Sequence, residues 1–259
     1  MTQALALPTN RDEDWRYADA AYLAGADPVA LAQWEEVQVA PGEARRDYRV
    51  LAADSAPGHV ERLRVQVCAG GRFELAVVNA AGPYARFEAE VTLEQGAHFA
   101  FGGVTIGGGD RVQEFVTRVI HAEPDATSQQ VVRAVQWGRA TGNFLGRIEV
   151  ARHAQKTDAG QNFKAILLEK GATANTKPEL EIYADDVKCA HGAAIGALDQ
   201  QAGFYMASRG IPPEAARKLL VRAFIADALE GVSDAAEHDR LLDAALVVLD
   251  GAMMEGVGV

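Results

Sequence analysis

The segment that decides the fold is His121-Ala122-Glu123-Pro124-Asp125-Ala126-Thr127-Ser128-Gln129-Gln130, which is echoed about 32 residues later by His153-Ala154-Gln155-Lys156-Thr157-Asp158-Ala159-Gly160-Gln161-Asn162. In both segments an apolar run ends on His-Ala, a loop carries an aspartate, and a polar pair precedes the next apolar run. Such a recurrence is typical of stacked coils, in which each coil buries its inner face on the next. The repeat therefore favours a β-helix (solenoid), with a β-sandwich as the alternative.

The sequence around this repeat alternates polar and apolar residues. Arg62 to Val67 and Arg72 to Val77 are clear cases, and a period of two predicts half-buried strands. Four more segments follow the same pattern: Phe87 to Leu93, Glu114 to Ile120, Gln130 to Val135 and Arg147 to Val150. Glycine-rich turn clusters separate the strands and no helical pattern intervenes. We therefore predict a mainly β core over residues 45–197.

Helical patterns lie on either side of this core. Asp27-Pro28 is a good helix start, so residues 1–44 are predicted to be a short N-terminal helical segment. Residues 198–259 are predicted to form a C-terminal helical subdomain. Its first helix ends at Arg209-Gly210, Pro212-Pro213 opens the second, and Ser233 caps the third, which runs to about Met254.

The charge, the apolar runs and the cysteine count of the sequence disfavour several classes of protein. The net charge is -11 and the pI is about 5.0, which disfavours binding to nucleic acid or to anionic lipid. No apolar run approaches the roughly 20 residues that a membrane-spanning helix needs. Met1 to Trp15 lacks the apolar block of a secretory signal. The two cysteines, Cys68 and Cys189, indicate a reducing compartment, so we expect a cytoplasmic protein.

Few residues carry recognisable chemistry. The sequence contains no G-x-x-x-x-G-K-[ST], G-x-S-x-G, H-E-x-x-H or C-x-x-C motif, so no ATP site is expected. What remains is Cys189-x-His191, two residues that share one face of a strand. The pair could bind iron or a soft metal, or act as a nucleophile and base. A closed site needs more ligands, from a second chain or from distant residues; otherwise the pair is incidental.

A family resemblance covers this motif. Residues 178–193, Pro178-Glu179-Leu180-Glu181-Ile182-Tyr183-Ala184-Asp185-Asp186-Val187-Lys188-Cys189-Ala190-His191-Gly192-Ala193, resemble the signature of the SufB/SufD family of iron–sulfur cluster assembly proteins. The likeness continues to residue 224. Near the start, Asp14-Trp15-Arg16-Tyr17 is similar to the family's "E-x-W-R-Y" element. Gly192 is similar to SufD-type members, whereas SufB-type members tend to carry a glutamate there.

The resemblance implies a right-handed parallel β-helix with C-terminal helices. It implies a non-catalytic scaffold subunit that forms a heterodimer with a SufB-like subunit through the β-helix end. A SufC-like ATPase would dock on the C-terminal helices and hydrolyse the ATP. A transient iron–sulfur cluster, shared with the SufB-like partner, would form at their interface. His191 matches the family's iron or cluster ligand, and Cys189 matches a neighbouring cysteine whose role is open.

Two other functions fit parts of the sequence. The chain could be a structural partner with a degenerate site. It could also be a β-helix carbohydrate-active enzyme, although such sites gather carboxylates on one coil face and the acidic residues here are dispersed. Family members are commonly much longer, with a larger N-terminal helical region, so functions of that region stay in doubt for this chain.

Overall fold

The computed structural model describes residues 6–52 and 58–254. These residues form twelve β-strands that carry the core of the molecule. The strands are β1 (Glu35–Val39), β2 (Ala44–Leu51), β3 (His59–Val67), β4 (Arg72–Asn79), β5 (Tyr84–Leu93), β6 (His98–Gly107), β7 (Val112–His121), β8 (Thr127–Gln136), β9 (Thr141–Val150), β10 (Asp158–Leu167), β11 (Thr173–Ile182) and β12 (Lys188–Gly196).

The strands build two parallel sheets that wind as one solenoid. One sheet has the order β1-β3-β5-β7-β9-β11, and the other has the order β12-β10-β8-β6-β4-β2. Paired residues lie 26 to 32 positions apart, as in Arg72 with His98 and Thr141 with Thr173, so each coil adds one strand to each sheet. The parallel β-helix prediction is confirmed, and the sandwich alternative is wrong because every strand pair in the described residues is parallel.

The strands begin at Glu35 and end at Gly196. The domain boundaries at 44/45 and 197/198 stay predictions. The outer ends of the two predicted helical regions, residues 1–5 and 255–259, lie outside the described residues.

The interior is filled by side chains that alternate inward along each strand. Phe73 and Phe99 stack with ring centroids 5.9 Å apart, and Phe144 and Phe163 stack at the same distance further along the solenoid. These rings are at most 1% exposed. Burying an aromatic side chain of this size contributes about 1.5–3 kcal/mol. The first pair stacks along one sheet, whereas the second joins β9 of one sheet to β10 of the other, so both help to fill the space between the sheets.

The N-terminal segment covers the outer face of the first sheet. It contains two short helices, α1 (Ala20–Gly25) and α2 (Pro28–Leu31), and the Asp27 carboxylate caps α2 by accepting from Val29 N at 2.9 Å. Trp15, in a short 3₁₀ turn, lies on the Arg86 guanidinium, 3.8 Å from its carbon to the ring centroid. The predicted helix start at Asp27-Pro28 is confirmed.

In the described residues three α-helices follow the last strand: α3 (Gln200–Ser208), α4 (Pro213–Ala226) and α5 (Ala235–Met254), with a short 3₁₀ helix (Asp227–Leu229) after α4. Gly210 has a φ of 83°, which suits glycine and ends the first of them as predicted. The predicted cap at Ser233 is wrong. The Asp234 carboxylate accepts from Ala236 N at 2.9 Å and so caps α5, while Ser233 Oγ donates to Glu74 at 3.1 Å.

Helices α4 and α5 pack on the outer face of the second sheet. Their apolar side chains, including Val221, Ile225 and Leu241, meet Val104 and Ile106 of β6. Within residues 6–52 and 58–254, no helix combines the length and apolar character that crossing a membrane would require.

Candidate functional site

The last coil leaves one end of the solenoid open. β11 pairs with β9 and β12 pairs with β10, and no other described strand pairs with either of them. Their outer edges therefore present unpaired backbone N–H and C=O groups, which favour the addition of another strand. Large apolar side chains are exposed at this end, with Ile182 38%, Tyr183 64% and Ile195 44% accessible.

Cys189 and His191 lie on the interior-facing side of β12. Their register partners on β10 are Ala159 and Gln161, which are 2% and 3% exposed and face the solenoid interior. Residues two apart on a strand share a face and are separated by about 6.6 Å along it. Within residues 6–52 and 58–254 no coil follows β12, so His191 is exposed although it faces the interior side. The structure thus brings the two predicted site residues together at the open end.

Cys189 is half-buried in a small apolar cluster. Ile148, Val150 and Ala154 are among its neighbours there. Burial raises the pKa of the Cys189 thiol, and the nearby Asp158 carboxylate raises it further. The thiolate is the form that binds metal, so Cys189 must lose a proton before it can be a ligand. In the isolated chain, its surroundings therefore favour the neutral thiol over the thiolate by raising its pKa.

The imidazole ring of His191 is exposed and can bind a ligand. It forms no hydrogen bond or ion pair with any residue in the described ranges. Both ring nitrogens are thus available to a ligand that approaches the open end. Across residues 6–52 and 58–254, no group of three or more His, Cys, Asp and Glu side chains is arranged to hold a metal ion.

A second depression lies on the outer face of the first sheet. It has a volume of about 280 Å³, and its lining includes Arg62, Glu88, Glu90 and Arg118. Two of its carboxylates are ion-paired here: Glu88 with Arg62 at 3.0 Å, and Glu90 with Arg118 at 3.3 Å. Burial opposes ionisation of Glu88, but Arg86 and Arg62 nevertheless lower its pKa. A glycosidase acid needs a raised pKa, so this groove does not resemble such a site.

Sequence reasoning assigned no role to Gln161. Its side chain faces the solenoid interior beside His191, one coil away. In the sequence, Gln161 precedes His191 by 30 positions, which is the length of one coil, and this spacing could have placed the two side chains next to each other. The spacing can be interpreted in this way only when the register of the coils is known.

Comparison with known proteins supports the resemblance. The family described as "SUF system FeS cluster assembly, SufBD core domain" matches residues 27–224. The iron–sulfur cluster assembly protein SufD of Escherichia coli is 40% identical over 114 residues, which is 44% of this chain and 27% of that protein. SufD of Bacillus subtilis is 31% identical over 123 residues, covering 48% of this chain and 28% of that protein.

A third relative is matched over a longer segment. An iron–sulfur cluster assembly SufBD family protein of Synechocystis is 33% identical over 171 residues, or 66% of this chain and 38% of that protein. In these three relatives, the matched segments span 27 to 38% of the relative's own length. The family match covers all twelve described strands of the solenoid, including the open end with Cys189 and His191. This chain belongs to the SufBD core family of SUF-system iron–sulfur cluster assembly proteins, and it is of the SufD type.

Proposed function

We propose that this chain is a scaffold subunit that pairs with a SufB-like subunit through its open solenoid end. The observation that carries the proposal is that His191 and Cys189 face the interior side of an unpaired last strand. A partner solenoid that added its own last strands there would cover Ile182, Tyr183 and Ile195. It would also enclose the two candidate ligands at the joint.

The opposite end of the solenoid supports this choice of interface. There the inward positions of the first coil carry charges, and Arg49 bonds Glu35 at 2.9 Å, Asp47 at 2.5 Å and Glu61 at 3.3 Å. We call Glu35, Asp47, Arg49, His59 and Glu61 the charged plug. Inward-pointing charges are a known means of preventing edge-to-edge association. The end with His191 lacks such a plug in its described residues.

The nascent iron–sulfur cluster is the cargo of the assembly rather than a resident cofactor. His191 would supply an imidazole nitrogen, which is a suitable iron ligand. Cys189 is the weaker candidate because of its raised pKa, although a bound metal ion would favour the thiolate. Two side chains make half a site, and a SufB-like partner would contribute the rest.

The C-terminal helices offer a surface for a SufC-like ATPase. Phe204 and Tyr205 on α3 are 78% and 58% exposed, and Leu219 on α4 is 47% exposed. Exposed apolar side chains grouped on neighbouring helices are typical of a protein contact. The chain contains no phosphate-loop motif, so the partner would perform ATP hydrolysis and this subunit would be non-catalytic. We place this assembly in the cytoplasm.

The test is co-expression with SufB-like and SufC-like partners, followed by absorption spectroscopy of the purified complex. His191→Ala is expected to leave the complex intact and to reduce the iron–sulfur absorbance per complex by about tenfold or more. His153→Ala is a matched control, because His153 is also exposed but lies in the turn after β9.

A second variant separates pairing from cluster formation. Ile195→Asp places a charge on the inward side of the last strand and is expected to abolish binding of the SufB-like subunit. Full cluster formation in His191→Ala would show that His191 is not a cluster ligand. The chain would then be a structural partner with a degenerate site. Unchanged pairing in Ile195→Asp would remove the open end as the interface.

A further inference from the structure

A line of polar side chains runs along the interior face of the second sheet toward the open end. The register places Gln130 of β8, Gln161 of β10 and His191 of β12 side by side in successive coils. Gln130 and Gln161 are 0% and 3% exposed. A buried amide is costly unless its polar atoms are hydrogen-bonded. The hydrogen bonds of these two amides therefore show which of their polar atoms still lack a partner.

The Gln161 amide has a fixed orientation. Its Nε2 donates to Gly146 O at 3.2 Å and to Glu179 O at 3.3 Å, on β9 and β11 of the opposite sheet. Both partners are carbonyl oxygens that can only accept, so the nitrogen rather than the oxygen must point to them. Gln161 Oε1 is consequently left buried, with no hydrogen-bond partner among the described residues.

Gly146 makes room for this unpaired oxygen. A Cβ atom at position 146 would lie 2.2 Å from Gln161 Oε1, well inside van der Waals contact. Any larger residue there would displace the amide. The backbone of β9 thus accommodates an acceptor that the described residues leave unused.

Possible donors lie one coil to either side of this oxygen. On the inner side, Thr117 Oγ1 donates to Gln130 Oε1 at 2.6 Å, which leaves Gln130 Nε2 without a partner in the described residues. On the outer side is His191, whose ring makes no hydrogen bond within the described part of the chain. A carbonyl oxygen has two lone pairs and can accept from both donors.

We propose that Gln161 is a positioning residue for His191. Rotation of the exposed His191 side chain toward β10 lets Gln161 Oε1 accept a hydrogen bond from one ring N–H, and it leaves the lone pair of the other ring nitrogen facing the open end. Metal-binding histidines commonly donate their second N–H to a nearby oxygen, which fixes the tautomer and the ring orientation. The inference rests on the proposed function, because it prepares His191 for iron.

Three variants of the full chain test this role. Gln161→Met removes both the acceptor and the donor. Gln161→Glu keeps an oxygen acceptor toward His191 and, when ionised, removes the donor toward Gly146 and Glu179. Gln130→Met is the matched control, because it removes a buried amide from the same line one coil away from Gln161. Thermal unfolding would check that each variant is folded.

The first readout is the ring-nitrogen NMR spectrum of ¹⁵N-histidine-labelled chain at pH 8. We expect one dominant tautomer for His191 in the wild type, Gln161→Glu and Gln130→Met, and a mixture in Gln161→Met. The second readout is the iron–sulfur absorbance of the co-expressed complex. We expect this absorbance to fall about tenfold in Gln161→Met and to be largely retained in Gln161→Glu.

Three results would overturn the proposal: an unchanged tautomer in Gln161→Met, a mixture of tautomers in Gln161→Glu, or a mixture in Gln130→Met. The second of these results would mean that Gln161 serves only to hold β9 and β11 through the two hydrogen bonds that its Nε2 donates. The NMR readout needs no partner and no cluster. A failure of the proposed function, seen as full cluster formation in His191→Ala, is therefore distinguishable from a failure of the Gln161–His191 hydrogen bond.

Discussion

Replacing Arg86 with methionine should destabilise the protein strongly. Arg86 is fully buried between the first sheet and the N-terminal segment. Its guanidinium bonds Glu88 at 3.0 Å, Glu114 at 3.4 Å and the Asp14 carbonyl oxygen at 2.7 Å. Trp15 lies on its other face. Arg86 therefore connects the predicted Asp14-Trp15-Arg16-Tyr17 element to the solenoid.

The expected loss follows from what Arg86→Met leaves behind. Glu114 is fully buried and would keep only neutral donors, the Tyr84 hydroxyl at 2.8 Å and Asn143 Nδ2 at 3.0 Å. Removing one member of a buried ion pair costs about 3–5 kcal/mol, because the remaining charge is uncompensated. Adding Glu114→Gln removes that charge and keeps an acceptor. The double variant should recover most of the lost free energy.

Urea unfolding followed by circular dichroism would measure these changes. Arg139→Met is the control, because its ion pair with Asp110 is 77% and 69% exposed and should contribute less than about 1 kcal/mol. The reasoning would be refuted by a loss below about 1 kcal/mol in Arg86→Met. It would also be refuted if the double variant were no more stable than the single one.

Two further predictions concern pH and self-association. Burial lowers the pKa of fully buried His121 to about 4, so the unfolded chain binds a proton below pH 6.5 that the folded chain does not. Stability should therefore fall between pH 6.5 and 4 by roughly 3 kcal/mol, and His121→Gln should flatten this part of the profile measured by urea unfolding. Replacing three of the five residues of the charged plug by neutral ones, with Asp47→Asn, Arg49→Leu and Glu61→Gln together, should cause concentration-dependent self-association in sedimentation velocity. A triple variant that sediments like the wild type at all concentrations would show that the plug does not protect that end.

The sequence predicted the coil but not its register. The echo aligns His121 with His153, an offset that places Gln161 opposite Gln129. In the structure Gln161 pairs with Gln130 instead, because the coil is one residue shorter than the echo. Gln129 is exposed and Gln130 is buried, so a slip of one residue reverses the face. A role for Gln161 could not be found without the correct register.

The open end had no signature in the sequence. The alternation that buries Phe163 on β10 also runs through β12, where Ala193 occupies the paired position. Local patterns give the same prediction for both strands. The difference is that, in the part of the chain that the structure describes, no strand follows β12 in its sheet, and this is a property of chain topology rather than of any local motif. Similarly, the N-cap prediction failed at Ser233 because Glu74, 159 positions away, engages that hydroxyl.

At the open end of this solenoid, the same last coil forms both the proposed interface and the candidate site. An inward-facing residue in a middle coil is buried by the coil that follows, as Gln161 is by β12. An inward-facing residue in the last coil has the same orientation without the cover, so it is exposed until another molecule supplies the next coil. His191 is in that position. A partner that completes the sheets must therefore bury the imidazole, and desolvation strengthens any bond that the imidazole makes to iron or to Gln161. Under the proposed function, this geometry would couple assembly to the binding of the cluster, because the strand that pairs with the partner also carries both candidate ligands.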